Sequence, residues 1–196
     1  MYSLVIDTAT KYLYIGLVND ENVVEEVLVE GSKNHAGNSV YMLNELLLKH
    51  NLTIDDIDRI YCGEGPGSYT GLRISVTIAK MISSFKDVKL YAVSSLFLAG
   101  SGYDNLNVAI LFDARRGNSF SACYGQNIIE DKLRDTKEFL DLVKDYEDLK
   151  IVYEDDFKVN PLKVIKNAYL VTEVDGFIPK YLRITEAEYN LVNKND

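Results

Sequence analysis

The segment from Gly63 to Ser75 reads Gly-Glu-Gly-Pro-Gly-Ser-Tyr-Thr-Gly-Leu-Arg-Ile-Ser, and it joins a strand-like stretch, 59–62, to a helix-like stretch, 70–85. Glycine adopts backbone angles that other residues resist, and proline fixes one of them, so the segment predicts a tightly specified strand-to-helix turn. Ser68 or Thr70 can cap the helix with a side-chain oxygen. Such a turn either binds a phosphate on its backbone amides or lets a helix pack closely on a sheet.

The general phosphate-binding motifs do not match this turn. A Walker A loop needs a lysine after its last glycine, and here Leu72 follows Gly71. The glycine spacing also differs from that of a dinucleotide-binding turn. We therefore favour a structural signature turn and keep phosphate binding as the alternative. Its residues are Gly65, Pro66, Gly67, Ser68, Thr70, Gly71 and Arg73.

The helix after the turn is apolar on two sides. At 100° per residue, its apolar positions form two stripes on roughly opposite faces, wider than a surface helix needs. The preceding helix, predicted over about 38–50, is similar. The two helices either pack side by side over one sheet or dock another chain, since large apolar patches usually mark interfaces. The predicted partner interface comprises Met42, Leu46, Ile74, Ile78, Met81 and Phe85.

Composition and charge limit the function classes. The chain has 196 residues, 47% of them hydrophobic, which suffices for one domain or two small ones. Its net charge of −9 disfavours binding nucleic acid without a partner. No apolar run approaches the roughly 20 residues of a membrane span, and no basic leader precedes the first strand. Cys62 and Cys123 read as buried thiols, so we predict a cytoplasmic protein without a membrane association.

The chain predicts two related α/β lobes. The first half reads as three strands, a helix, a strand, a second helix and another strand. The second half opens in the same way, because Ile110–Asp113 repeats the pattern of Leu4–Asp7, apolar residues leading into an aspartate and a short turn. We predict a first lobe over 1–98 and a second over 107–196. The second lacks the long apolar helices and ends in a polar tail from Ala187 that is expected to fray.

The paired aspartate hairpins are similar to those of sugar kinases, heat-shock ATPases and actin, in which such hairpins contact nucleotide phosphates. Asp7, Thr8 and Asp113 are therefore candidate phosphate contacts, with turn capping as the alternative for the aspartates. His35 and His50 are not one helical turn apart, so no histidine metal pair is predicted. The chain also lacks a nucleophile elbow of the Gly-x-Ser-x-Gly type. We predict no metal site and no catalytic residue.

The segment from Gly65 to Ile74 closely resembles the signature of the TsaB family, also called YeaZ, although Tyr69 replaces the family's phenylalanine. Further family segments follow the same order along the chain: Ile6–Thr10, Val93–Leu96, Asp113–Gly117 and Pro179–Arg183. The resemblance implies a two-lobed, actin-like ATPase fold of the ASKHA, ribonuclease H-like type, in the α/β class and here with a reduced second lobe.

The resemblance also implies a function. TsaB proteins are non-catalytic partners of the paralogue TsaD, joined through first-lobe helices, and act with TsaE and TsaC in forming threonylcarbamoyladenosine on ANN-reading tRNAs. It implies no cofactor of this chain's own, ATP or ADP at the interface with the partner, and tRNA contact only through the complex. Without the partner, the apolar helix surface is expected to pair two copies of this chain into a homodimer. The alternative is an independent ATP-binding enzyme, kinase-like or hydrolase-like, of the kind formerly labelled glycoprotease.

Overall fold

The computed structural model describes residues 1–31, 35–86 and 88–182, with 35–37 as backbone alone. The predicted frayed tail and Arg183 lie outside these residues. The strands are β1 Tyr2–Asp7, β2 Tyr12–Asn19, β3 Asn22–Glu30, β4 Ile57–Gly63, β5 Lys89–Val93, β6 Asn107–Asp113, β7 Asn118–Gly125, β8 Ile129–Asp135, β9 Leu149–Tyr153 and β10 Tyr169–Leu170. The helices are α1 His35–Lys49, α2 Tyr69–Lys86, α3 Ser95–Gly100, α4 Thr136–Val143 and α5 Pro161–Asn167.

The first sheet has six strands in the order β10-β5-β4-β1-β2-β3. Strand β2 runs antiparallel to both β1 and β3, whereas β1, β4 and β5 are parallel to one another. Five of these strands therefore have the order and directions of a ribonuclease H-like sheet. Strand β1 is buried at five successive positions because both faces of the sheet are covered, and this explains its continuous apolar sequence.

The second sheet repeats the first in shorter form. Its order is β8-β7-β6-β9, with β7 antiparallel to its two neighbours and β9 parallel to β6. These strands correspond one by one to β3, β2, β1 and β4. The predicted duplication and the two-lobed α/β fold with a reduced second lobe are therefore confirmed. In sequence order, the short helices α4 and α5 follow β8 and β9 as α1 and α2 follow β3 and β4.

The second lobe is shorter than the predicted 107–196. Strand β10 pairs with β5 of the first sheet, and Val171, Val174 and Phe177 then pack into the first-lobe core. We call residues 169–182 the return segment. A two-residue strand has no periodicity, so the sequence pattern could not assign this segment to the first lobe.

Besides β10, two more regular elements were not predicted. Helix α3 begins after Ser94, whose hydroxyl accepts a hydrogen bond from the Phe97 amide at 3.2 Å. Strand β8 is an edge strand with charged residues at most of its positions, and such composition is depleted in strands. Strand β8 forms by pairing with β7, which local propensity does not reveal.

The two sheets share an apolar core. Side chains from the inner face of each sheet lie in one buried cluster together with α3. Its members include Val5, Tyr14 and Tyr61 from the first lobe and Ile110, Phe112 and Val152 from the second. Because these side chains are buried, the space between the inner faces of the sheets is filled by the chain itself.

Candidate functional site at the glycine-rich turn

The glycine-rich turn packs directly on the β1–β2 turn. A β-carbon at Gly63 would lie 1.7 Å from an Asp7 carboxylate oxygen, and one at Gly67 would lie 2.3 Å from the Ala9 carbonyl oxygen. A β-carbon at Gly71 would lie 1.9 Å from the Thr8 carbonyl oxygen. No side chain fits at these approaches, so each glycine is required by the neighbouring turn.

The backbone amides of the glycine-rich turn bind other parts of this chain. The Ser68 amide donates to the Ala9 carbonyl at 2.6 Å, and the Gly65 amide donates to Ser95 Oγ at 3.0 Å. Ser68 Oγ accepts from the Gly71 amide at 3.3 Å and so caps α2, as predicted. The structure thus favours the packing alternative over a phosphate cradle.

Thr8 fastens the first turn of α2 to the hairpin. Its hydroxyl donates to the Gly71 carbonyl at 2.6 Å and accepts from the Ser75 amide at 3.2 Å. Gly71 and Ser75 are four residues apart, the spacing of one helical hydrogen bond. The buried hydroxyl therefore acts on the helix backbone, and the prediction of a phosphate contact at Thr8 is corrected.

Asp7 and Asp113 cap equivalent turns in the two lobes. Asp7 Oδ1 accepts from the Ala9 amide at 2.8 Å, and Asp113 Oδ1 accepts from the Arg115 amide at the same distance. Asp7 is fully buried and its other oxygen accepts from Ser95 Oγ at 2.6 Å. The structure therefore corrects the phosphate prediction at Asp7. Asp113 is exposed, and a phosphate contact there stays a prediction.

The buried Asp7 gives the fold a pH dependence. Burial raises the pKa of Asp7 to about 6, against the opposing effects of its bonds from Ser95 and Ala9. Because the folded state then holds the proton more tightly than the unfolded state, this group's stabilising contribution is lost as pH rises through 6. Between pH 5.5 and 7.5 we expect the wild type to lose on the order of 1 kcal/mol of unfolding free energy from this source.

Asp7→Asn removes this titration while keeping an acceptor for the Ala9 amide. We expect urea unfolding at pH 5.5 and 7.5 to show a smaller loss of stability in the variant than in the wild type. If the wild type and Asp7→Asn lost the same free energy of unfolding between these pH values, Asp7 would have to be ionised in the folded state across the whole range.

The return segment closes the site from the other side. The Lys180 amide donates to the Glu64 carbonyl at 2.7 Å, and the Arg73 Nε donates to the Tyr181 hydroxyl at 3.1 Å. The rings of Tyr69 and Tyr181 lie 4.8 Å apart, with the Arg73 guanidinium 4.2 Å from the Tyr69 ring centre. The family-like segments around Asp7, Gly67, Ser95 and Lys180 therefore meet at one place, while Asp113–Gly117 lies on the second lobe.

The predicted interface residues separate into two groups. Leu46 and Ile78 are 3% and 8% exposed and belong to the first-lobe core, so they are removed from the docking surface. Met42 and Ile74 are half-buried, whereas Met81 and Phe85 are 54% and 79% exposed. We call Met42, Ile74, Met81 and Phe85 the docking face.

The return segment explains why the apolar surface of α2 is only partly free. Lys80 Nζ donates to the Asp175 and Phe177 carbonyls at 2.7 and 3.0 Å, which ties this segment to the helix. Phe177 then packs into the first-lobe core, whereas Met81 and Phe85 of the docking face stay largely exposed. A helical wheel shows the stripe but not which neighbours cover it.

The residues that the structure describes contain no group of three or more His, Cys, Asp or Glu side chains that could hold a metal ion. Cys62 and Cys123 are buried free thiols, and burial raises the pKa of both. Neither thiol is activated as a nucleophile, because the thiolate is the reactive form. The described helices are also too short or too polar to cross a bilayer.

Two lobes built on one repeated strand order, with paired aspartate hairpins, define an actin-like α/β protein. The family model of TsaD, tRNA N6-adenosine threonylcarbamoyltransferase, matches residues 29–162. The chain is 29% identical to the tRNA threonylcarbamoyladenosine biosynthesis protein TsaB of Bacillus subtilis over 96% of each sequence. It belongs to this family and, within it, to the TsaB or YeaZ group.

Solved structures agree with this fold. YeaZ from Pseudomonas aeruginosa superposes with a TM-score of 0.71 at 19% identity, over 92% of this chain and 99% of that one. A second crystal structure, described as an uncharacterized protein with similarity to peptidase YEAZ from the same organism, gives a TM-score of 0.74 at 20% identity. That match covers 93% of this chain and 99% of the other. The two-lobed architecture is therefore shared along nearly the whole length.

Proposed function

We propose that this chain takes part in tRNA threonylcarbamoyladenosine biosynthesis as a non-catalytic subunit that pairs with a TsaD-type transferase. The main observation in support of this proposal is the exposed apolar surface of the docking face. Met81 and Phe85 present large apolar side chains to solvent from the helix that the glycine-rich turn positions. Exposed apolar surface of this kind is typical of protein interfaces. We expect the family's transferase to bind this face, because the TsaB relative and the TsaD family are both named for threonylcarbamoyladenosine formation on tRNA.

The alternative of an independent ATP-binding enzyme has less support. The carboxylate of Asp7 is enclosed by Ser95, Ala9 and Gly63, so its turn is not open to a metal or nucleotide in this conformation. The inner faces of the two sheets are joined by a packed apolar core. Several backbone amides of the signature turn likewise donate hydrogen bonds to acceptors within the chain, so they are not available to a phosphate.

The remaining parts of the assembly follow from this role. TsaE joins the pair, and ATP or ADP binds at the joint interface instead of in a site that this chain completes alone. The tRNA is held through the complex, in keeping with the net charge of −9. Without its partner the docking face can pair two copies of this chain, and we place the assembly in the cytoplasm.

Reconstitution tests the proposal. The purified chain should form a complex of defined mass with its TsaD-type paralogue, and TsaC, TsaE, ATP, threonine, bicarbonate and an ANN-reading tRNA should yield threonylcarbamoyladenosine only when this chain is included. Alone, the chain should neither modify tRNA nor turn over ATP.

ATP turnover that follows the isolated chain through gel filtration would contradict the subunit role. If the Asp113→Asn variant lost this ATP turnover, the activity would belong to this chain and not to a contaminant. Asp113 is exposed, so its replacement leaves the core intact. Full tRNA modification in the absence of this chain would contradict the proposal equally.

A further inference from the structure

The sulfur-containing side chains of this protein differ in exposure. The sequence has two cysteines, three methionines and no tryptophan. Cys62 and Cys123 are buried, Met42 is half-buried, and Met1 and Met81 are exposed. Met1 is the first residue of the chain, whereas Met81 belongs to the docking face. Among these readily oxidised side chains, Met81 is therefore the one that is both open to solvent and placed where a partner would bind.

Burial protects the two thiols from oxidation. Cys62 lies in β4 and Cys123 in β7, and neither side chain is accessible to solvent. Burial also raises the pKa of both thiols, so each stays protonated at neutral pH. Peroxides react with the thiolate, and susceptibility follows thiolate character and exposure. An oxidant that reaches the folded chain therefore meets an exposed thioether before it meets a reactive thiol.

Met81 lies in the middle of the apolar row on α2. Successive members of the row Ile74, Met81 and Phe85 are seven and four residues apart, spacings that put their side chains on one face of the helix. Ile74 and Met42 pack against the first-lobe core, whereas Met81 and Phe85 project into solvent. An unbranched thioether adapts its shape to an opposing surface, which suits it to docking. A change at Met81 therefore alters the part of the docking face that a partner would cover.

Oxidation converts this apolar side chain into a polar one. Hydrogen peroxide transfers one oxygen atom to Sδ of Met81, and the S–O bond forms as the O–O bond breaks. The sulfur loses two electrons, and the peroxide is reduced to water. In the free chain the sulfoxide oxygen is exposed and hydrated, so the fold tolerates the change. In an apolar interface the same oxygen loses its water without gaining a hydrogen-bond donor, which weakens binding.

We propose that Met81 is an oxidation site that controls assembly: its thioether allows the TsaD-type partner to bind, and its sulfoxide weakens that binding. This inference rests on the function proposed above. Because the partner covers Met81 in the complex, peroxide acts on the free chain and not on the assembled pair. Methionine sulfoxide reductases return the sulfoxide to methionine, so the loss of binding is reversible.

Selective oxidation of the purified full-length chain tests this proposal. The chain is treated with hydrogen peroxide, the excess is removed with catalase, and peptide mass spectrometry measures oxidation at each methionine. Met1 and Met81 should be oxidised faster than Met42, with both thiols unmodified. Titrated against the untreated paralogue, the oxidised wild type should bind about 10- to 100-fold more weakly than the untreated wild type. Treatment with methionine sulfoxide reductases of both epimer specificities should restore binding.

Two variants assign the effect to one side chain. The oxidised and untreated forms of each variant are compared with each other, so a change in a variant's own affinity cancels. Met81→Leu should bind equally well before and after peroxide, although Met1 and Met42 are still present. Met42→Leu should show the same loss on oxidation as the wild type. Within the preformed complex, Met81 should be oxidised more slowly than in the free chain.

The proposal is overturned if the wild type carries the sulfoxide at Met81 and keeps its affinity, or if Met81→Leu loses as much affinity as the wild type. Equal oxidation rates at Met81 in the free chain and in the complex would also contradict it. The unfolding midpoint of the oxidised wild type should stay within about 2 °C of the untreated chain, and a larger fall would assign the lost binding to unfolding and overturn the proposal. If the untreated wild type forms no complex with its paralogue, the function proposed above fails, and this inference fails with it.

Discussion

Replacing Met81 and Phe85 by glutamate is expected to abolish the complex with the TsaD-type partner while leaving the isolated chain folded. Both side chains are largely exposed in the isolated chain, so a charge at either position is solvated there. In the complex the same charges would be buried without partners, at a cost of several kcal/mol. We expect the dissociation constant measured by titration calorimetry to rise at least about 1,000-fold, equivalent to roughly 4 kcal/mol.

The matched control is Ile128→Glu. Ile128 is 74% exposed on the second lobe and lies outside the docking face, so this variant adds a charge to an apolar surface position without affecting the complex. Ile78→Glu is unsuitable, because Ile78 is part of the first-lobe core and its replacement tests folding. Wild-type affinity in Met81→Glu/Phe85→Glu, with an unchanged unfolding midpoint, would show that the partner binds another surface.

The sequence of elements in the first lobe and the hairpin that opens each lobe could be predicted because their signals are local. An apolar run that ends in an aspartate and a short turn occurs at Asp7 and again at Asp113, and both aspartates cap their turns in the same way. The sequence pattern also predicts a helix over 137–146, a strand over 150–153 and a short helix over 161–167, close to the observed α4, β9 and α5. Periodicity and turn chemistry suffice for such elements, since neither depends on distant parts of the chain.

The burial of Leu46 and Ile78 could not be predicted, since it depends on distant contacts. A wheel gives the direction of each side chain from its helix axis, and both residues fall on stripes that a partner could cover. What covers Ile78 is decided by α1 and by the return segment, whose Phe177 lies about a hundred positions further along the chain. Lys80 anchors that segment through backbone carbonyls, which leave no trace in the sequence.

The signature turn was located correctly, but its contacts were not visible in the sequence. Glycine spacing alone allows a phosphate or a neighbouring backbone to occupy the space beside each glycine. The structure shows Asp7, Thr8 and Ala9 in these positions, which are contributed by a segment more than fifty residues earlier. The site therefore joins the first hairpin to the docking helix, and a change at one should be transmitted to the other.

Gly71→Ala tests this coupling. A glycine-to-alanine change within a helix usually stabilises a protein, but at this position we expect it to lower the free energy of unfolding. Within a helix, alanine is more favourable than glycine by up to about 1 kcal/mol. At position 71 the new methyl group would lie 1.9 Å from the Thr8 carbonyl oxygen, a backbone atom that cannot rotate away. Helix α2 must then shift away from the hairpin, also straining the bonds between the Thr8 hydroxyl and the helix. We expect a loss of roughly 3 kcal/mol or more, and a correspondingly lower unfolding midpoint.

Gly176→Ala provides the comparison for this prediction, because the nearest atom to its new methyl group would be 3.7 Å away, an ordinary contact. Its free energy of unfolding should stay within about 0.5 kcal/mol of wild type. Thr8→Ala should not rescue Gly71→Ala, since the clash is with the backbone of Thr8 and not with its side chain. If Gly71→Ala proved as stable as Gly176→Ala and bound the partner equally well, α2 could not be held by the hairpin turn in the way the structure shows. Lower stability together with weaker docking would instead show that the glycine-rich turn sets the position of the docking helix.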